Sequence, residues 1–295
     1  MPQPSNLSPL AVSPGLIEVS LLTPGQVYEG EFTVLNPATE DAISRYSITV
    51  GPLTFDDEYY SPAFEDTSDF NQIVDWIEIE DPSGELAPQE RRTIHYKITV
   101  PEDAPAGGQY ASFLVASEDP AGSEQQEGVA VAARSRIAIL LYSTVDGETR
   151  EEGHVIENNV PSIVFDQPIK TSSLIINSGN IHIKAKYTLR IYPLFSGEEV
   201  YTNEESPVIS TVIPDTTLYN EKTWEGTPLL GLYRVVQEID FGDRIDRKET
   251  VTLVAPLWFM ILAFLFLVSI IYGIIERIGK RKEAKKERQE SLVKP

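Results

Sequence analysis

Ile94-His95-Tyr96-Lys97-Ile98-Thr99-Val100 places an apolar side chain at every second position. Successive side chains of an extended chain point to opposite faces, so this stretch reads as a β-strand with one face on a core and the other in water. The same period of two continues outward. Upstream lie Ile17, Val19 and Leu21, then Val27, Phe32 and Val34, then Tyr46, Ile48 and Val50, then Trp76, Ile77 and Ile79. Downstream come Tyr110, Phe113 and Val115, and the longer run Val129 to Val145. Only Phe55 to Asp75, acid-rich and without alternation, interrupts the series and reads as a long loop.

A second series follows the polar stretch Asp146 to Asn159: Ile163 to Phe165, Ser173 to Ile176, Ala185 to Tyr192, a short piece near Val200, Val208 to Ile213, Gly231 to Asp240 and Arg247 to Val254. The 21 prolines and 18 glycines fall between these runs, where turns are needed. About 250 residues suit two sandwiches better than one. The expected fold is all-β, two tandem immunoglobulin-like antiparallel β-sandwiches followed by one transmembrane α-helix. Its expected limits are a flexible lead over 1–15, a first sandwich over 16–146, a second over 147–252, a span over 253–275 and a basic tail over 276–295.

The halves echo each other. In each an early strand ends at asparagine (Val34-Leu35-Asn36; Ile175-Ile176-Asn177), and a late strand is announced by Pro, Gly and Tyr (Pro105, Gly108, Tyr110; Pro228, Gly231, Tyr233). A tyrosine entering a late strand can close an inter-sheet corner with its hydroxyl.

Val251 to Ile275 contains no charged residue, and a helix of that length is about 37 Å long, enough to cross a hydrocarbon core of about 30 Å. Of the 24 basic residues, eight lie after Ile275, against four of the 45 acidic ones. Lys and Arg beside a span stay on the cytoplasmic side, which predicts a cytoplasmic tail and an extracellular N-terminal part. Trp258 and Tyr272 sit where amphipathic rings favour the headgroup zone, and Pro256 suits the first turn of a helix. Ser269 and Gly273 form a small-xxx-small pair at which two helices can approach. The segment beginning Met1-Pro2-Gln3-Pro4 has neither a basic start nor an apolar core, so a signal peptide is expected to have been removed. The competing reading is a tail anchor with the sandwiches in the cytoplasm.

The part before the tail carries a formal charge of −25. Such a surface repels nucleic acid and anionic lipid, so no nucleic-acid partner is expected. Without any cysteine, disulfides, thiolate metal sites and cysteine nucleophiles are excluded. Extracellular domains of this size held by core packing alone are a habit of bacterial surfaces.

Leu22-Thr23-Pro24-Gly25, Phe32-Thr33-Val34-Leu35-Asn36, Leu86-Ala87-Pro88-Gln89-Glu90, Ile98-Thr99-Val100-Pro101 and Gly107-Gly108-Gln109-Tyr110 together resemble the N-terminal domain of the WxL-interacting cell-surface proteins of Gram-positive and related bacteria. Asn177-Ser178-Gly179-Asn180, Gly231-Leu232-Tyr233, the span and the basic tail look like that family's second domain and anchor. Ile17-Glu18-Val19-Ser20 stands where the family often has an aromatic sequence. The resemblance implies an exported, membrane-anchored binding protein whose partners are a cell-wall polymer such as peptidoglycan or another surface protein, engaged without catalysis.

Residue chemistry adds little to choose an activity. His95, His154 and His182 fall in separate segments, so neither a zinc site nor a His-based triad is indicated, and no motif singles out a carboxylate pair for glycoside cleavage. The loop acids Asp56, Asp57, Glu58, Glu65, Asp66 and Asp69 are candidates for Ca²⁺, which takes six to eight oxygen ligands, or form a solvated acidic loop. Tyr59, Tyr60, Phe64 and Phe70 in the same loop either offer a partner-binding surface or pin the loop to the sheet. Two further classes stay open: an accessory ectodomain subunit of a membrane complex, marked by an apolar patch on the second domain or on one side of the span, and a glycan-processing enzyme, marked by a closely spaced carboxylate pair in a cleft.

Overall fold

A computed structural model describes residues 10–39, 42–56, 60–65, 67–117, 136–165, 168–226 and 230–293. The first half contributes β1 (Ala11–Ser13), β2 (Leu16–Leu22), β3 (Val27–Leu35), β4 (Ser44–Pro52), β5 (Thr54–Phe55), β6 (Pro62–Ala63), a 3₁₀ helix (Asp69–Trp76), β7 (Ile77–Ile79), β8 (Ser83–Leu86), β9 (Arg91–Thr99), β10 (Gly107–Ser117) and β11 (Arg136–Val145). They stack as two sheets, ordered β1-β3-β9-β7 and β2-β11-β10-β4-β8, with β5 and β6 as a small hairpin. The decisive alternation is real: Ile94, Tyr96 and Ile98 of β9 are buried, and His95 stands outward with its Nδ1 3.6 Å from Glu31. Phe113 packs 5.0 Å from Phe32 and 4.9 Å from Tyr96 between ring centroids, joining the two sheets.

The second half contributes β12 (Gly153–Asn159), β13 (Ile163–Val164), β14 (Ile169–Asn177), β15 (Ile183–Pro193), β16 (Tyr201–Thr202), β17 (Val208–Val212), β18 (Thr217–Trp224), β19 (Gly231–Asp240) and β20 (Ile245–Val254). One sheet is β12-β14-β18; the other is β13-β20-β19-β15-β16, with β17 also on β15. Its core centres on Tyr187, Leu189, Ile191, Val235, Ile239 and Trp224. The architecture is therefore two immunoglobulin-like sandwiches and one C-terminal helix, α1 (Leu257–Val293).

Several local expectations change. Ala11–Ser13, placed in the flexible lead, pairs with Thr33–Leu35, and Leu10 before it is buried; three residues are too few to display a period. The expected loop from Phe55 to Asp75 contains the β5–β6 hairpin and most of the 3₁₀ helix, whose Ile73 and Trp76 enter the first core. Ser68 caps that helix by accepting from the Phe70 amide at 3.3 Å. The polar stretch 146–159 is only partly a connector, because Gly153–Asn159 is an edge strand carrying a bulge, where a polar sequence protects an open edge. Pairing is not wholly antiparallel: β2 runs parallel to β11, and β13 to β20. Of the expected strand Val129 to Val145, residues before 136 lie outside the described set.

The junction with α1 also shifts. Leu253 and Val254, expected in the span, complete β20, and the Ala255 amide donates to the Val164 carbonyl at 2.9 Å. Val254 and Ala255 are buried in the second sandwich, so burial there competes with entry into the helix. From Leu257 the helix is long and apolar enough to cross a membrane. Its uncharged part, Leu257 to Ile275, is about 28 Å long. Beyond it Glu276 pairs with Lys280 at 2.6 Å as the helix continues into the basic tail.

Candidate functional site

The two sandwiches meet through Asn180, Tyr60 and a buried aromatic cluster. Asn180, between β14 and β15, accepts from the Gly108 amide through its backbone carbonyl at 2.6 Å. Its side-chain oxygen accepts from the Arg150 amide at 2.6 Å, and its amide nitrogen donates to the Glu148 carbonyl at 2.8 Å. One residue thus holds β10 and the connector together. Gly107 makes room for it: its φ is +117°, and a Cβ there would lie 2.7 Å from the Asn180 carbonyl oxygen.

Tyr60 crosses the same boundary. Its hydroxyl donates to the Thr211 carbonyl and accepts from the Ile213 amide, both at 2.9 Å, while its ring stacks on Phe55 at 4.3 Å. Burial raises its phenol pKa, so it remains a donor. Beneath it Leu53, Tyr110 and Tyr142 of the first sandwich enclose Ile213 of the second, with Phe55, Phe64 and Phe70 packed around them. Tyr110 was expected to close a corner between sheets. Instead its hydroxyl reaches His182 Nδ1 of the other sandwich at 3.4 Å. Burial holds the phenols of Tyr110 and Tyr142 protonated far above the usual tyrosine range and pushes the His182 imidazole down, so the ring is neutral at pH 7.

Beside this joint opens a cleft of about 500 Å³. Glu18 and Tyr142 line it from the first sandwich, His182, Lys184 and Phe241 from the second, and Glu151 from the connector. Lys184 Nζ lies 3.6 Å from Glu18 Oε1, an ion pair across the cleft. The volume falls in the range of small-ligand sites, and the wall mixes an apolar base with charges of both signs. β2, which supplies Glu18, ends its sheet. Among the described residues its outer backbone edge is open to a further strand.

The residues singled out by sequence are distributed unevenly. Phe64 and Phe70 pack against the cluster at the joint, and Tyr60 packs against the core of the second sandwich; Tyr59 lies outside the described residues. Asp56, Glu65 and Asp69 are exposed, and Asp57, Glu58 and Asp66 lie outside the described residues. Among the described residues no group of three or more His, Asp or Glu side chains is placed to hold a metal ion. Trp258 and Tyr272 project from α1 near the two ends of its uncharged part, both exposed, and a Cβ on Gly273 near Ser269 would meet open space. Sequence reading missed Glu18, Glu151, Asn180, His182 and Lys184 as one site, since they are brought together only by the packing of one sandwich on the other. Asn180 alone carried a signal, the turn sequence Asn177-Ser178-Gly179-Asn180.

No protein-family model matches the chain, and no curated protein matches it. Among solved structures it is similar to the class 5 fimbriae chaperone CfaA (13% identity, TM-score 0.38, covering 84% of this chain and 100% of that one). It is also similar to the CsuC–CsuE chaperone–tip adhesion subunit complex of Acinetobacter baumannii (11%, TM-score 0.40, 82% and 97%) and to the E. coli chaperone DraB (14%, TM-score 0.38, 82% and 96%). Likeness at this level carries no inference about ligand or mechanism.

Proposed function

We propose that the chain is a single-pass surface protein of the WxL-interacting type, which binds a cell-wall polymer or another surface protein in the cleft between its sandwiches and does not turn it over. The observation that carries this reading is the joint itself. Asn180, Tyr60 and the Tyr110–Tyr142–Ile213 cluster fix the two sandwiches so that a cleft with charged walls is held open. A preformed site binds without paying to order its walls. The helix α1 anchors the pair, with the eight basic residues of the tail inside and the acid-rich sandwiches outside.

The test combines topology and binding. Protease added to intact cells should remove the sandwiches, and the full chain in vesicles should retain peptidoglycan fragments or a surface protein from extract. Lys184→Glu, which reverses the charge facing Glu18, should weaken retention at least severalfold. Sandwiches protected in intact cells, or retention unchanged by the variant, would overturn the proposal. Glu18 and Glu151 share the cleft, which keeps a glycan-processing reading alive. Loss of polymer cleavage in Glu151→Gln, with binding intact, would favour it. The accessory-subunit reading rests on the exposed apolar side chains Phe165, Leu194, Phe195 and Leu230 of the second sandwich.

A further inference from the structure

Strand register fixes what lies at the end of the second sandwich from which α1 leaves. Val254, the last residue of β20, is paired with Gly231 of β19 and with Val164 of β13, and Pro193 of β15 is paired with Tyr233. Phe165, Leu194 and Leu230 therefore all emerge at the level where β20 ends. They are 44%, 40% and 50% exposed. Leu194 begins a turn closed by the Gly197 amide donating to the Pro193 carbonyl at 3.1 Å, and at its tip Phe195 is 88% exposed. Scattered apolar residues on a surface are ordinary. Four converging on one end of one domain are not. At the opposite end the β19–β20 hairpin carries Asp243 and Arg244 beside one exposed apolar side chain, Ile245.

We propose that this end face is seated in the outer interface of the membrane, with Phe195, Leu194, Phe165 and Leu230 inserted at the headgroup level. The inference rests on the reading that α1 crosses a bilayer. Its continuity with the span identifies the occupant. Ala255 is fully buried and bonded to Val164, so only Pro256 separates the packed sandwich from the first helical residue. The uncharged part of α1, about 28 Å, barely matches a hydrocarbon core of about 30 Å, which leaves no length to hold the sandwich away from the surface. Trp258, 58% exposed, then lies at the same depth, where aromatic rings are favoured. Glu198 and Glu199 follow Phe195, so the attraction is apolar and needs no anionic lipid.

The absence of cysteine makes the test clean, since one introduced thiol takes one nitroxide label. The full chain carrying Phe195→Cys is reconstituted in phosphatidylcholine vesicles at high lipid-to-protein ratio. Collisions of the label with oxygen, which concentrates in lipid, are compared with those of a water-soluble nickel complex. A label at Ile245→Cys, 61% exposed at the opposite end, gives the aqueous reference, and one at Leu265→Cys reports the span. The expected result is severalfold shielding from nickel at 195, and likewise at Leu230→Cys, relative to 245. A shielded 265 with 195 as open to nickel as 245 would overturn the inference and leave the span standing. An aqueous 265 would overturn the membrane reading itself. Shielding at 195 that disappears on dilution with lipid would assign the face to a second copy of the chain and would also overturn it.

Discussion

Asn36 and Asn177 make the same set of bonds in the two sandwiches. Asn36 donates from its side-chain nitrogen to the carbonyls of Ala42 and Leu86 at 2.8 and 3.1 Å, and its side-chain oxygen accepts from the Ala38 amide at 3.0 Å. Asn177 donates to Ile181 and Val212, both at 2.8 Å, and accepts from the Gly179 amide at 2.9 Å. Even the facing turns agree: Gln89 (φ 59°) donates its amide to the Asn36 carbonyl, and Asp215 (φ 57°) donates its amide to the Asn177 carbonyl. Both asparagines are fully buried, so the duplication suggested by sequence is one of bonding as well as of strand order.

Asn36→Ala and Asn177→Ala should each be strongly destabilising. Either change leaves carbonyls without a donor in a buried place, at about 1–3 kcal/mol for each such group. Chemical denaturation of the full chain in detergent should show the loss. Trp76 reports on the first core and Trp224 on the second, so each variant should move its own reporter first.

Gly107→Ala should loosen the joint rather than either core. The added Cβ meets the Asn180 carbonyl oxygen, and the left-handed backbone is strained for alanine, a cost of about 1–3 kcal/mol. Limited proteolysis should then cut the connector at Arg150 faster, while the thermal signal of each core changes little. Equal cutting in variant and parent would contradict the assignment.

Tyr60→Phe keeps the ring and its stack on Phe55 but removes both hydroxyl bonds to the second sandwich. An Ile213 amide left unpaired predicts a loss of about 1–3 kcal/mol. A double-mutant cycle with Gly107→Ala, which crowds the Asn180 carbonyl, should show coupling, since both changes act on the same interface. Strict additivity would argue that they act separately.

The joint should weaken in mild acid. Burial lowers the pKa of His182 in the folded state, so the unfolded chain takes up its proton first. The stability this contributes is whole above the unfolded value of about 6.5 and is lost as pH falls from there through the folded pKa. Denaturation midpoints measured from pH 7.5 to 5 should fall, and His182→Phe should flatten the slope. A slope unchanged by the substitution would remove His182 from the account.

Much of the fold was legible because its signals are local. Alternation in Ile94 to Val100, the asparagines closing β3 and β14, and the charge-free run after Val251 each depend only on neighbours in the chain. What escaped was either too short or too polar to carry a period: Ala11–Ser13, Ser83–Leu86, the 3₁₀ helix over Asp69–Trp76, the edge strand Gly153–Asn159, and Thr217–Trp224, whose middle is Asn220-Glu221-Lys222. The border between β20 and α1 was misplaced by several residues because Val254 and Ala255 suit either an oily helix or a sandwich core. The pairing of Val254 with Gly231 and Val164, and the hydrogen bond from Ala255 to Val164, decide between them.

The sequence by itself determined two all-β halves of common design, one apolar helix, and a strongly acidic part set against a basic tail, since hydrophobic period, turn residues and charge are properties of consecutive positions. Tertiary structure alone decided that Tyr60 and Tyr110 serve the joint between the sandwiches, that Glu18, Glu151, His182 and Lys184 share a cleft, and that Phe165 and Phe195 stand at one end. Those groupings join residues far apart in the chain, and only the packing of one sheet on another brings them within reach.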